Sequence, residues 1–227
     1  MRLSLLALAL ALALPVAQAH DDDVRDRGGD ISRVNGGITA DAGQQYGDLD
    51  TVNGGVTLRD GAQARTVETV NGGIKVGDDA RVRSLETVNG GISAGQRVQV
   101  EAGVETVNGG IRTGFNSRIG GDVGTVNGGI TLKQTQVGGR VSTVSGDITV
   151  GNGSVVRRGI LVEKPRGISF GRLRVPRIVI GPNAVVEGEL RFEREVELFV
   201  HPKARIGKVV GATARSYTDT LPPRKDD

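Results

Sequence analysis

Residues 69–86 read TVNGGIKVGDDARVRSLE, and this stretch decides the fold because variants of it recur along most of the chain. Its tetrad, Val-Asn-Gly-Gly followed by an aliphatic residue, occurs six times, and a seventh copy keeps the frame with Val-Ser-Gly-Asp. Successive copies are 18 or 19 residues apart and show no helical pattern, which is typical of one solenoid coil per copy. The tetrads begin at Val34, Val52, Val70, Val88, Val107, Val126 and Val144.

Alternating apolar side chains divide this coil into short strands. Ile74 and Val76 are two residues apart, as in a strand with one buried face, and the breaks at 72–73 and 77–79 predict corners. The sequence therefore predicts an all-β fold, a single-chain parallel β-helix or solenoid with coils of 18–20 residues. The side chains expected to face inward are Val70, Ile74, Val76, Ala80, Val82 and Leu85.

The N-terminus has the pattern of a secretory signal peptide. A basic start at Arg2, an apolar run over 5–16 and Ala17-Gln18-Ala19 predict cleavage before His20. The apolar run is shorter than the roughly 20 residues of a spanning helix, so no transmembrane segment is expected after cleavage. The chain has 0 cysteines, which excludes both disulfides and a lipid-anchored cysteine. We expect a periplasmic or extracellular protein, with an acidic linker over 20–31.

Composition agrees with a solenoid better than with a globular core. Aromatic residues make up 3% of the chain and glycine accounts for 36 residues, whereas stacked coils need only small aliphatic layers. The scarcity of aromatic side chains and the predicted export disfavour nucleic acid as a partner. Charge is uneven: residues 20–154 carry a net −4, and residues 155–227 carry a net +6.

Stacking the tetrads aligns their asparagines, and two interpretations of that column stay open. Identical amides in a parallel stack can hydrogen-bond along the axis as a structural ladder. Alternatively, the threonines two positions earlier could form a flat Thr-x-Asn lattice that binds ice or a repetitive glycan. The asparagines of the column are Asn35, Asn53, Asn71, Asn89, Asn108 and Asn127.

A second column consists of the acidic residues Asp50, Glu68, Glu86 and Glu105. Carboxylates at this spacing repel one another unless cations neutralise their charge. Nearby arginines such as Arg65 and Arg83 favour a solvated ion-pair network. Calcium along the column is the alternative, although the repeat lacks the Gly-Gly-x-Gly-x-Asp spacing of calcium-binding solenoids.

The sequence offers few groups for catalysis. Its 2 histidines are His20, at the predicted new N-terminus, and His201, which lies in a turn. No cysteine nucleophile, histidine–carboxylate cluster or phosphate-binding loop is present. We therefore assign no catalytic, cofactor-binding or metal-binding residues and expect no cofactor.

A basic segment joins the tetrad repeats to the C-terminal part. It is either a solvated joint or a contact site for an anionic partner, such as envelope polysaccharide or anionic lipid. Its residues are Arg157, Arg158, Lys164, Arg166, Arg172, Arg174 and Arg177.

The C-terminal part contains a second repeat. Residues 179–186 and 199–206 align at a spacing of 20, with Pro182 and Pro202 at equivalent corners. We therefore expect the tetrad solenoid over 32–154, its continuation over 155–214, and a loose tail over 215–227.

Two resemblances follow from these motifs. TVNGGI and its variant TVSGDI, over about 32–154, resemble the bacterial adhesin-like β-strand repeat family of unknown function, which implies an exported β-solenoid without catalytic residues. IGPNAVVEGEL and VHPKARIGKVVGA, within 178–212, resemble the bactofilin, or polymer-forming cytoskeletal, family. That second resemblance implies a solenoid fold, and in bactofilins the exposed end coils polymerise.

These observations favour an exported, non-enzymatic structural or adhesin-like solenoid of the bacterial cell envelope. One alternative is a self-assembling, polymer-forming scaffold, in which homo-oligomers form through the solenoid ends. The other is a carbohydrate-active enzyme built on a β-helix.

Overall fold

The computed structural model describes residues 28–165 and 174–218, in which every regular element is a β-strand. The predicted signal peptide, linker residues 20–27 and residues 219–227 lie outside the described residues, as do Arg166 and Arg172. The strands stack in parallel into a solenoid, and one sheet of ten strands contributes one strand to each of ten coils. The predicted all-β parallel solenoid is confirmed.

Each complete coil contributes strands to three columns. The first column precedes the tetrad, the second follows it, and the third leads back to the first column of the next coil. β5 and β7 are long enough to belong to both the third and the first column.

The first column contains β1 (Ile31–Asn35), β3 (Leu49–Asn53), β5 (Gln63–Asn71), β7 (Arg81–Thr87), β10 (Val104–Thr106), β13 (Val123–Thr125), β16 (Val141–Thr143), β19 (Ile160–Val162), β22 (Leu190–Phe192) and β25 (Val209–Val210). The second contains β2 (Ile38–Ala40), β4 (Val56–Leu58), β6 (Ile74–Val76), β8 (Ile92–Ala94), β11 (Ile111–Thr113), β14 (Ile130–Leu132), β17 (Ile148–Val150), β20 (Arg177–Ile180), β23 (Glu197–Val200) and β26 (Ala214–Ser216). The third adds β9 (Gln99–Val100), β12 (Arg118–Ile119), β15 (Gln136–Val137), β18 (Val155–Val156), β21 (Val185–Val186) and β24 (Arg205–Ile206).

Buried apolar and exposed side chains alternate along the strands, and the buried ones form the core. In β6, Ile74 and Val76 are buried and Lys75 between them is exposed. In register, Ile74 lies between Val56 and Ile92, so each inward side chain packs on its equivalents above and below. This layering gives one continuous aliphatic core along the axis.

The inward assignment of the tetrad valine is wrong. Strand alternation places Leu85 and Thr87 inside β7, so Val88 turns outward and is only partly buried. Val34, in the first coil, is 47% exposed. The residue that fills the inside of the corner is the threonine before the tetrad.

The two tetrad glycines are required by close approach between coils. A Cβ on the first glycine, as at Gly90, would overlap the carbonyl oxygen of Gly72 in the preceding coil. A Cβ on the second glycine, Gly91, would lie 3.2 Å from the carbonyl oxygen of Gly110 in the following coil. The first position therefore admits only glycine, and the second admits a larger residue only if its neighbour moves.

The seventh tetrad shows where the second position can hold a residue larger than glycine. Asp147 replaces the second glycine where the following coil has no tetrad and the chain between β19 and β20 is longer than at the other corners. Its carboxylate accepts a hydrogen bond from the Arg177 backbone N–H at 2.8 Å and pairs with the Arg174 guanidinium. Asp147 therefore anchors the start of β20.

Coil length changes after this point. Ile148 pairs with Ile178, a step of 30 residues, and Leu198 pairs with Ala214, a step of 16, whereas the intervening step is 20. β26 includes Arg215 and Ser216, and Tyr217 is buried against Val179 and Phe199. The solenoid thus extends three residues into the segment predicted to be a loose tail, because Tyr217 packs on the outside of the second column.

Gly90→Ala should destabilise the protein by roughly 3 kcal/mol or more, because its methyl group has no space unless two coils separate. Gly91→Ala, the same change one residue later, should cost about 1 kcal/mol because only a small shift is needed. Urea unfolding followed by circular dichroism measures both. Equal effects would show that the preceding coil does not approach the first glycine as closely as described.

Candidate functional site

The threonine that precedes a tetrad lies inside the corner, and its hydroxyl joins two coils. Thr69 is 1% exposed and its Oγ1 donates to the carbonyl oxygen of Gly54 at 2.8 Å. Equivalent bonds of 2.8 to 2.9 Å to the first glycine of the preceding tetrad are made by Thr51, Thr87, Thr106 and Thr125. A Thr-x-Asn lattice with both columns in water is therefore wrong, because burying the threonines satisfies the corner carbonyls.

The asparagines form an exposed column joined by five hydrogen bonds. Each Nδ2 donates to the Oδ1 of the asparagine in the preceding coil, from Asn53 to Asn35 at 3.1 Å through to Asn127 to Asn108 at 2.9 Å. The column ends at Ser145, which is too short to continue it. Its geometry is that of a structural ladder running along the surface of the tetrad corner.

Thr87→Val should lower stability by roughly 1–3 kcal/mol, because the shape is kept while the Gly72 carbonyl loses its donor in the buried corner. Thr57→Val is the matched control, since Thr57 points outward from β4 and is only partly buried. Its effect should stay within about 0.5 kcal/mol. Thermal unfolding of the two variants makes the comparison, and similar losses would contradict the inward role of the threonine.

The first coil departs from the pattern at the threonine position. Arg33 stands in register with Thr51, and its Nη1 donates to the carbonyl oxygen of Gly37 within its own coil at 2.7 Å. A threonine here would find no preceding tetrad among the described residues. The change from TVNGG to RVNGG is the feature of the sequence that marks this coil as different.

The acidic column lies on the outer side of the first column of strands. Asp50, Glu68, Glu86 and Glu105 are direct partners in successive parallel strands, about 4.8 Å apart. Burial, followed by the charges of Glu86, Asp50 and Asp48, raises the pKa of Glu68 to about 7. Burial also raises the pKa values of the other three carboxyl groups.

The predicted ion-pair network does not neutralise this column: Arg83 enters no described ion pair, and Arg65 pairs with acids beside the column. Arg65 donates from Nε to Asp48 at 2.7 Å and approaches Asp30 at 3.4 Å. The hydrogen bond from Arg65 is the largest influence that lowers the pKa of Asp48 to about 2. Among the described ion pairs, none involves Glu68 or Glu86. Within residues 28–165 and 174–218, no three acidic or histidine side chains are placed to hold a metal ion.

Stability should fall as pH rises from about 4.5 to about 7, because the folded pKa of Glu68 lies above its ordinary value of 4.5 and the folded state holds the extra proton. Glu68→Gln should therefore raise the melting temperature at pH 8, corresponding to roughly 1 kcal/mol, and have little effect at pH 4. Glu101→Gln, at an exposed corner glutamate, is the control for charge removal. A Glu68→Gln gain that is independent of pH would rule out this titration.

The predicted basic site is split between two corners. Arg157 and Arg158 follow β18, whereas Lys164 follows β19, Arg174 precedes β20 and Arg177 is the first residue of β20. Arg174 pairs with Asp147, and the Arg177 guanidinium lies 4.7 Å from the centre of the Phe199 ring. The described members therefore lie at two places along the coil, and Arg174 and Arg177 already have structural contacts.

His201 has structural contacts in its corner. Its Nδ1 accepts the Lys203 backbone N–H at 3.1 Å, and its ring meets Tyr217 edge-on at a centroid distance of 5.5 Å. The Tyr217 hydroxyl in turn donates to the Ile180 carbonyl oxygen at 3.2 Å. These contacts tie the last coil to the two before it.

Comparison with known proteins does not identify a family for this chain. The chain matches no protein-family model, no curated protein and no solved structure. In the part of the chain that the structure describes, no helix is long and apolar enough to cross a membrane.

Proposed function

We propose that the protein is an exported, non-enzymatic structural or adhesin-like β-solenoid of the bacterial cell envelope. The observation that supports this proposal is that the repeated residues hold neighbouring coils together. Threonine hydroxyls bond the preceding coil, asparagine amides bond one another, and glycines admit the neighbouring backbone. Repetition therefore maintains a rod of fixed spacing, which suits a protein that supports or contacts an extended surface.

Two features of the sequence support the envelope setting. Residues 1–19 have the pattern of a cleavable secretory signal, and the TVNGGI copies resemble the adhesin-like repeat family. Ten coils at about 4.8 Å give a rod on the order of 45 Å long. The partners we propose are envelope polysaccharide or anionic lipid, because the C-terminal third carries the excess of positive charge.

End-to-end polymerisation is the second candidate function. The outer edges of β1 and of β26 have no strand partner among the described residues, and such edges can pair with another copy. Arg33 disfavours polymerisation through the first coil. A second copy stacked on that coil would bury the Arg33 guanidinium at the position where the other coils have threonine. Light scattering across concentrations tests this candidate, and growth of the particle with concentration would favour it over a monomeric rod.

Fractionation of cells that express the full-length protein with a C-terminal tag tests the proposed function. We expect the mature protein to begin at His20, to occur outside the cytoplasm and to sediment with purified envelope fragments. Replacing Leu8, Leu10 and Leu12 by Asp should block processing and keep the protein inside the cell, because it interrupts the apolar run. An unprocessed cytoplasmic parent would contradict export, and turnover of envelope polysaccharide by the purified protein would contradict a non-enzymatic role.

A further inference from the structure

The corner between the second and third columns carries an exposed aromatic side chain in the middle of the rod. Phe115, two residues beyond β11, is 48% exposed, whereas Phe192, Phe199 and Tyr217 are 5%, 7% and 6% exposed. Phe115 belongs to neither cluster of buried apolar residues. Packing of the rod therefore does not account for an aromatic residue at this position.

The backbone on both sides of Phe115 is held by the neighbouring coils. Its carbonyl oxygen accepts the Arg97 backbone N–H at 2.8 Å. The Asn116 backbone N–H donates to the Gln134 carbonyl oxygen at 3.1 Å. The aromatic ring is thus presented to solvent from a fixed base, which lowers the entropy cost of binding a ligand there.

The three coils around Phe115 are basic on this side of the rod. Residues 92–100, 111–119 and 130–137 run from the second column through the corner to the third, and they contain four basic and no acidic residues. The equivalent residues of the preceding coil, 74–82, contain two of each sign. The four basic residues are Arg97, Arg112, Arg118 and Lys133.

Two of these four cations have an acidic side chain nearby. Arg97 donates from Nε to Asp79 of the preceding coil at 2.7 Å and approaches Asp78 at 3.8 Å. Arg118 lies in β12, and Glu101 follows β9, the partner strand of β12, at the far end of the third column. These two arginines are therefore not counted toward a binding site.

The other two cations, Arg112 and Lys133, are exposed and take part in no described ion pair. Arg112 lies in register between Ser93 and Thr131, which are neutral. The Lys133 Nζ lies 5.9 Å from the centre of the Phe115 ring. The acids of residues 74–82 lie two coils from Phe115, roughly 10 Å away, which exceeds the screening length of about 8 Å at physiological salt.

Three exposed amide side chains surround the ring, Gln96 in the preceding coil, Asn116 beside it and Gln134 in the following coil. An amide group offers both N–H donors and a carbonyl acceptor. Sugar hydroxyls also donate and accept, whereas ionised carboxylates and phosphates only accept. We call this surface the Phe115 face, and it consists of Gln96, Arg112, Phe115, Asn116, Lys133 and Gln134.

We infer that the Phe115 face binds an acidic polysaccharide that contains uronic acid. A sugar ring stacks on Phe115, the amides hydrogen-bond its hydroxyl groups, and carboxylates of the polymer pair with Arg112 and Lys133. A small ligand needs a concave site, whereas an exposed face over three coils suits a polymer lying across the rod. The inference rests on the proposed envelope function for its setting, and it places the polysaccharide contact on the side of the rod.

An acidic protein segment fits the Phe115 face less well. Residues 20–31, of this chain or of a second copy, carry five aspartates that could pair with the two cations. The same segment also carries Arg25 and Arg27, and it offers no ring to stack on Phe115. The combination of ring, amides and cations therefore favours a charged sugar polymer.

Binding of soluble polymers to the chain from His20 onward tests this inference without depending on export. Polygalacturonate, a polymer of uronic acid, should bind, and its affinity should fall as salt is raised. Dextran has sugar rings without charge, and polyglutamate has charge without sugar rings. Each should bind at least about tenfold more weakly than polygalacturonate, because each lacks one of the two interactions.

Two variants locate the binding site. Arg112→Gln combined with Lys133→Gln should lower the affinity for polygalacturonate roughly 25-fold, since one charge pair at about 4 Å in water contributes roughly fivefold. Phe115→Leu keeps an apolar side chain but removes the ring, and should lower the affinity roughly threefold. Both variants should melt at the temperature of the parent, because the replaced side chains are exposed.

The matched control combines Arg157→Gln with Arg158→Gln. It removes the same charge from two exposed arginines that enter no described ion pair and that belong to the basic segment singled out in the sequence. The affinity for polygalacturonate should change less than about twofold in this control, because these arginines follow β18 and lie away from the Phe115 face.

Four results would overturn the inference. They are equal losses in the two double variants, full affinity in Phe115→Leu, binding of polyglutamate or phosphatidylglycerol vesicles as tight as that of polygalacturonate, and no binding of polygalacturonate by the parent. The last result includes a chain whose own residues 20–31 occupy the face. Export is tested by fractionation and not by this assay, so the polysaccharide site and the proposed envelope setting can fail separately.

Discussion

The approach of one tetrad backbone to the next is the constraint on which the rest of the structure depends. At each corner the carbonyl group of one first glycine occupies the space where a Cβ of the next would lie. This approach lets the preceding threonine reach that same carbonyl and brings the asparagine amides within hydrogen-bond distance. One steric requirement thus specifies three of the recurring residue types, and the spacing of the coils follows from it.

The tetrad and the threonine before it change in sequence where this packing between coils ends. Asp147 is tolerated where the following coil has no tetrad, and Arg33 replaces threonine where no preceding tetrad is described. Beyond the seventh copy the coils are held by aliphatic layers and by external contacts such as those of Tyr217. The chain therefore combines two stacking chemistries, and its charge changes sign between them.

The coil, its period and the asparagine column could be predicted from the sequence. In a strict repeat, a contact made by one copy recurs in every copy. It was misleading at the tetrad valine, whose apolar character suggested burial although strand alternation from Leu85 places Thr87 inside. The same error made the threonines look solvent-facing. Basic residues close together in sequence were expected to form one site, but a solenoid separates them onto different corners.

Native-state hydrogen exchange tests the tetrad account most directly. The backbone N–H groups of Ile74, Ile92, Ile111 and Ile130 donate across the corner to the second-glycine position of the next coil at 2.8 to 3.0 Å. If tetrad packing joins the coils into one cooperative stack, these four amides should exchange together and only through global unfolding. Rapid exchange at these positions, with protection confined to the C-terminal aliphatic coils, would contradict the account.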